Sequence, residues 1–251
     1  MSSVASNYTA FEEVLRDFLE IKQETDGESL QHLAGVLTDW LSAKTEAEYR
    51  NAQLGLFFNP LALVSLKETI HSRILGALLD PRGSHGQGTL ILNCLLKHIG
   101  IPEPEIGEWS LTVEAGRVDM MLERERPRSV ILIENKSNGA VDQPNQLYRY
   151  WYQQIFRRIP WLDYRDQAKC RCFRVLYLSS DGKQQPEPQS LERPSDSIGY
   201  PLAYPKMPLP PEAVSIADLM RVIGRAAQEK VPSTNSRLLT FIAMYSELWT
   251  K

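Results

Sequence analysis

No stretch of the 251-residue chain approaches the roughly 18 consecutive apolar residues that cross a membrane, so no membrane span is expected. The opening MSSVASNYTAFEEVLRDF lacks the basic start and apolar middle of a secretion signal, and the expectation is a soluble, cytoplasmic protein. Cysteine is scarce. Cys94, Cys170 and Cys172 form an odd set without a CxxC pair, which argues against a disulfide framework and a zinc knuckle alike. Cys170 and Cys172, two apart near a predicted strand, read as small apolar groups on one face. His71 and His85 lack metal-ligand spacing and read as packing or loop-stabilising residues. The glycines of GSHGQG (Gly83, Gly86, Gly88) lack the Lys-Ser/Thr ending of a phosphate loop and read as a tight helix-to-helix connection.

A basic excess is missing too. The formal charge of −3 argues against a surface that binds polyanions everywhere, though it leaves room for a local groove. Candidate pieces are Arg124, Arg126 and Arg128; Arg149, Arg157 and Arg158; and Lys169, Arg171 and Arg174, though each reads first as a solvated face balanced by nearby acids. Trp109, Trp151, Trp161 and Tyr152 read as core or rim aromatics, with base stacking as the alternative.

What is present is a globular composition, 43% hydrophobic, with a change of period along it. The first hundred residues read as helical. Phe11, Val14, Leu15, Phe18 and Leu19 share one helical face, and Leu30, Leu33, Val36, Leu37, Trp40 and Leu41 another. After FFNP, residues 63–80 predict a helix buried through Leu63, Leu66, Ile70, Ile74 and Leu78 and closed by Asp80-Pro81. TLILNCLLKHIG predicts another, ended by Gly100 and Pro102. Beyond Pro104, WSLTVEA, RVDMMLER and SVILIENK predict a three-stranded meander. NQLYRYWYQQIFRR predicts an amphipathic helix with Asp142 and Pro144 in start-signal positions, and CFRVLYLSS a fourth strand.

Eight prolines between residues 186 and 211 predict a long surface excursion. The two helices expected near 215–229 and 237–249 are too few to bury their own faces and are expected to pack on the sheet. The order of elements is α/β. The expected organisation is a helical N-terminal extension over 1–60 and one α/β domain over 61–251.

The chemistry is expected where ILIENK runs from an apolar strand straight into charge. Residues two apart on a strand share a face, so Glu134 and Lys136 lie together with Val130 and Leu132, while Asn135 lies on the other face. A buried charge pair needs further partners, and Asp119 on the preceding strand is the candidate. Two carboxylates with an amine beside them suit a hard divalent cation such as Mg²⁺, with the Asn135 backbone carbonyl completing the protein's side. Such an ion polarises a phosphodiester and acidifies water, while Lys136 orients that water or meets growing phosphate charge. Alternatives stay open: Glu134–Lys136 as a surface ion pair, Asp119 as a turn cap, Gln146 and Tyr150 as a wet helix edge, and Glu68 as a solvated helix residue.

Asp119 followed by Glu134-Asn135-Lys136 resembles the D…(D/E)xK signature of the PD-(D/E)XK nuclease superfamily, with Val118 where the eponymous proline would stand. Gln146 and Tyr150 are similar to the QxxxY element of its RecB-like branch. KETIHSRILGALLDPRGSHGQG and YLSSDGKQQP resemble an uncharacterised bacterial branch, and the likeness spans about residues 63–250. The resemblance implies a restriction-endonuclease-like α/β fold, with a mixed central sheet flanked by helices. It implies a nuclease using Mg²⁺, with Mn²⁺ as substitute. Asp119 and Glu134 would be metal ligands, Glu68 a further metal-facing acid, and Lys136, Gln146 and Tyr150 would complete the site. DNA is favoured over RNA as the nucleic-acid partner, a homodimer or protein partner is expected through the N-terminal helices, and a bacterial defence or genome-maintenance role is implied. The alternatives are a catalytically silent nuclease-fold scaffold and an α/β interaction protein with a chance motif.

Overall fold

The computed structural model describes residues 27–54, 58–115, 118–195 and 199–249. The helix expected around 11–23 and the turn at Gly116 lie outside them. The chain divides into two compact units, residues 1–59 and 60–251. In the first, α1 (Gly27–Leu54) runs 28 residues, with Leu33, Leu37 and Trp40 half-buried at helical spacing.

The second unit is built on a five-stranded mixed sheet. Its strands are β1 (Trp109–Ala115), β2 (Val118–Arg124), β3 (Ser129–Lys136), β4 (Phe173–Ser179) and β5 (Glu212–Ser215), lying side by side in chain order. β1, β2 and β3 form the expected antiparallel meander, while β3, β4 and β5 run parallel. Helices α2 (Glu68–Leu79), α3 (Leu90–His98), α6 (Ile216–Lys230) and α7 (Ser236–Glu247) supply the core on one face. The opposite face is covered by α4 (Gln146–Trp151), its π-helical continuation Tyr152–Phe156, and part of the proline-rich segment. A short α5 (Gln167–Cys170) precedes β4.

Strand alternation decides which side chain joins which layer. Met120, Leu122, Ile131 and Ile133 pack with Leu75, Leu95, Leu219 and Ile242, whereas Met121, Val130, Leu132 and Val175 pack with Leu147, Trp151 and Ile155. All eight residues of β3 are buried, the condition of a strand covered on both faces. The terminal helices do pack into this unit. His71 of α2 pairs through Nδ1 with the Tyr245 hydroxyl of α7 at 3.0 Å and lies 4.7 Å from the Trp249 ring, a packing role.

Three expectations change. The helix expected from Leu63 starts at Glu68, and Leu63 and Ile70 are exposed. The buried stripe is His71, Ser72, Leu75, Leu78 and Leu79, one step around the helix, because Pro60–Leu63 forms a separate 3₁₀ turn that breaks the longer periodicity. The proline-rich segment is not a free excursion. Ser190, Met207 and Leu209 are buried, Glu192 bridges to Lys206, and the Tyr148 hydroxyl donates to the Tyr204 carbonyl at 2.8 Å. Prolines remove donors without preventing their neighbours from entering a core. Finally, Asn145 occupies the N-cap of α4 in the left-handed region, and Asp142 serves elsewhere.

Candidate active site

β3 carries its apolar alternation to the very end, so Glu134 and Lys136 emerge on the α4 face and Asn135 on the α2 face. Both charges are deeply buried, Glu134 at 3% exposure and Lys136 at 5%. A surface ion pair is thereby excluded for them. Lys136 Nζ lies 2.9 Å from Glu134 Oε1. One step beyond the Met120–Ile133 pair of the β2–β3 ladder comes Asp119, which is half-buried. Its Oδ2 accepts the Asn135 backbone N–H at 2.8 Å. Asp119 therefore ties to the β3 backbone at the point where the charges begin.

The helix after β3 completes the cluster. Gln146 Nε2 stands 2.7 Å from Glu134 Oε1 and 2.9 Å from the Tyr150 hydroxyl, one helical turn on. Its own Oε1 accepts the Gln143 N–H at 3.0 Å, which fixes the amide's orientation. Gln146 and Tyr150 are both buried and so do not form a wet helix edge.

The Asn135 side chain fastens the strand end to α2. Its Nδ2 donates to the Glu68 carbonyl at 3.0 Å and to Ser72 Oγ at 2.9 Å, while its Oδ1 accepts the Ser137 N–H. The Glu68 carboxylate receives the backbone N–H groups of Asn138 and Ala140 through Oε1, at 3.2 and 3.3 Å. Glu68 therefore holds the loop leaving β3, and its charge still reaches Asp119. His85 stabilises the α2–α3 connection as expected: Nε2 lies 2.9 Å from the Asp80 carbonyl, and Nδ1 accepts the Gln87 N–H.

The electrostatics are those of negative charge short of a counter-ion. Burial, then the neighbouring Asp119, pushes the Glu134 carboxyl up to about 7 against the pull of Lys136. Burial raises Asp119 as well, despite its hydrogen bond from Asn135. Lys136 suffers desolvation, but Glu134 and Asp142 outweigh it and hold the ammonium above its ordinary range. Tyr150 is pushed up to about 12 by burial and Glu134, so it stays a neutral hydroxyl.

Among the described residues no group of three or more His, Cys, Asp or Glu side chains has metal-holding geometry. A two-carboxylate site is nevertheless suited to Mg²⁺, which takes one or two protein carboxylates and leaves its other positions to water and phosphate. One atom tests the fit. Glu134 Oε1 is engaged by Lys136 and Gln146, whereas Oε2 is buried with no hydrogen-bond partner among the described residues. A buried carboxylate oxygen without a donor is costly, and a hard cation is the partner that would relieve it.

Asp142, expected only as a helix start, and Tyr177, expected only as part of the fourth strand, join the cluster. Asp142 Oδ1 lies 3.3 Å from Lys136 Nζ and accepts the Tyr177 hydroxyl at 3.1 Å; its Oδ2 accepts the Glu187 N–H at 2.8 Å. The available signal was an acid six residues beyond the lysine in an otherwise uncharged stretch, which looked like a helix start. Trp109 and Trp151 are core residues, while Trp161 is exposed.

Searches of curated proteins and of solved structures return no match. A family model described as the PD-(D/E)XK nuclease superfamily matches residues 57–207, a span that contains Asp119, Glu134, Lys136, Gln146 and Tyr150. The chain belongs to the PD-(D/E)XK nuclease superfamily.

Proposed function

We propose that the chain is a divalent-metal-dependent nuclease that hydrolyses phosphodiester bonds of nucleic acid, with DNA as the first substrate to test. The observation that carries this reading is the buried Glu134 Oε2, left without a partner among the described residues beside Asp119 while Lys136 and Gln146 occupy the other oxygen. Asp119, Glu134 and the Asn135 carbonyl would hold Mg²⁺ or Mn²⁺. When bound, the ion supplies charge neutralisation for the phosphate and an acidified water. Lys136 orients the attacking water or meets charge growing on the phosphate oxygens. Gln146 holds Glu134 Oε1, which would leave Oε2 to hold an ion, and Tyr150 keeps Gln146 in register. Glu68 shapes the loop beside the metal ligands.

The purified protein, incubated with single- and double-stranded DNA and with RNA in Mg²⁺ or Mn²⁺, should cleave at least one of them. Glu134→Ala and Lys136→Ala should each slow cleavage on the order of 100-fold or more. Cleavage that survives both substitutions removes the assignment. Retained metal binding without cleavage of any substrate would instead favour a silent nuclease-fold module.

A further inference from the structure

Lys136 carries three N–H donors on a long, flexible stem, and a lysine positioned for chemistry must be held from more than one side. Among the described residues two acceptors are within reach, Glu134 Oε1 at 2.9 Å and Asp142 Oδ1 at 3.3 Å. Glu134 alone would draw the ammonium onto the carboxylate that is also needed for the metal. The second acceptor opposes that pull and leaves one proton for water or phosphate.

Asp142 is itself held unusually well for a loop residue. Its side chain is fully buried at 0% exposure. A buried carboxylate is tolerated only where its oxygens are satisfied, and here they are. The Tyr177 hydroxyl from β4 donates to Oδ1, and the Glu187 amide at the start of the proline-rich segment donates to Oδ2. Gln184 Nε2 reaches the same tyrosine oxygen at 3.5 Å. β4 and the proline-rich segment therefore converge on this carboxylate, and among the described residues the charged side chain it meets directly is Lys136.

Resting on the nuclease reading above, the geometry assigns Asp142 as a positioning residue: it fixes the Lys136 ammonium between two carboxylates, and Tyr177 and the Glu187 amide fix Asp142. This places β4 and the proline-rich segment in service of the reaction although neither supplies a metal ligand. It also gives the loop after β3 a task beyond starting a helix.

Two variants of the full chain test this. Asp142→Asn removes the charge facing Lys136, and Tyr177→Phe removes one donor to Asp142 without leaving a charge unpaired. With saturating Mn²⁺, Asp142→Asn should lower kcat on the order of 10- to 100-fold with KM within about twofold of wild type. Tyr177→Phe should lower kcat by a smaller factor, roughly 3- to 10-fold, again without a KM change. Mn²⁺ affinity should stay unchanged in both, and Asp142→Glu should recover part of the lost rate. In a Lys136→Ala background neither substitution should slow cleavage further, because the residue they act through is gone. Wild-type kcat in Asp142→Asn, or losses that multiply with that of Lys136→Ala, overturns the assignment. Should Asp142→Asn fail to fold, an unchanged kcat in Tyr177→Phe does the same. A wild-type protein that cleaves nothing defeats the nuclease reading separately; the positioning link is then read from the ¹⁵Nζ signal of Lys136. Tyr177→Phe shifts that signal if Asp142 holds the amine, and an unmoved signal overturns the link.

Discussion

Glu134 is the residue on which the site's energetics turn. Its two oxygens have opposite fates: one is shared by an ammonium and an amide, the other is buried and bare. Its carboxyl stands near 7 instead of the ordinary 4.5. Between those values the folded protein keeps a proton that the unfolded chain has released, so this group's contribution to stability falls as pH rises through the window. In chelator-treated protein, urea unfolding at pH 5 and pH 8 should show a loss at the higher pH that Glu134→Gln lacks. The difference is at most about 3 kcal/mol. An identical pH response in the two proteins would contradict the burial argument. Glu134 and Lys136 were legible in the sequence because strand alternation assigns faces by parity alone, and Asp119 joined them as a candidate through its place on the preceding strand. Asp142 was not, because a loop has no period from which a direction can be read.

At the scale of elements, α2 sets how closely the outer helices approach the sheet. Gly76 faces Val113 on β1, and a β-carbon at that position would lie well inside van der Waals contact with a Val113 methyl. Valine is stiff at χ1 and cannot swing away cheaply. Gly76→Ala should therefore destabilise the protein by about 1–3 kcal/mol through overpacking, outweighing alanine's better helix propensity. Chemical denaturation measures it, and a stabilised variant would mean that α2 shifts freely. Because α2 also grips Asn135 through Ser72 and the Glu68 carbonyl, any such shift is expected to reach the strand end. The existence of α2 was readable from its periodicity. Its start and buried face were not, since the apolar residues at 63 and 66 continue the pattern into a turn that only the surrounding packing reveals. β5, four residues emerging from a run of prolines, is too short to show a period, and its place is decided by parallel pairing with β4.

For the molecule as a whole, the candidate site at the end of β3 is where chain segments far apart in sequence are tied together: α2 through Asn135, β4 through Tyr177, and the proline-rich segment through Glu187. A ligand that binds only this assembled site stabilises the whole fold by mass action. Mn²⁺ at about 100 times its Kd should add about 2.7 kcal/mol and raise Tm by several degrees. Thermal unfolding with Mn²⁺ or with chelator checks this, and the rise should vanish in Glu134→Ala. An equal rise in that variant would place the ion elsewhere. The sequence by itself determined the α/β class, the meander, and the shared face of Glu134 and Lys136, because those follow from local period and parity. The tertiary structure alone decided that the sheet continues in parallel through β4 and β5, that the proline-rich segment packs into the core, and that Asp142 grips Lys136. These are contacts between segments distant in the chain, and no local pattern encodes which distant donor a buried carboxylate will find.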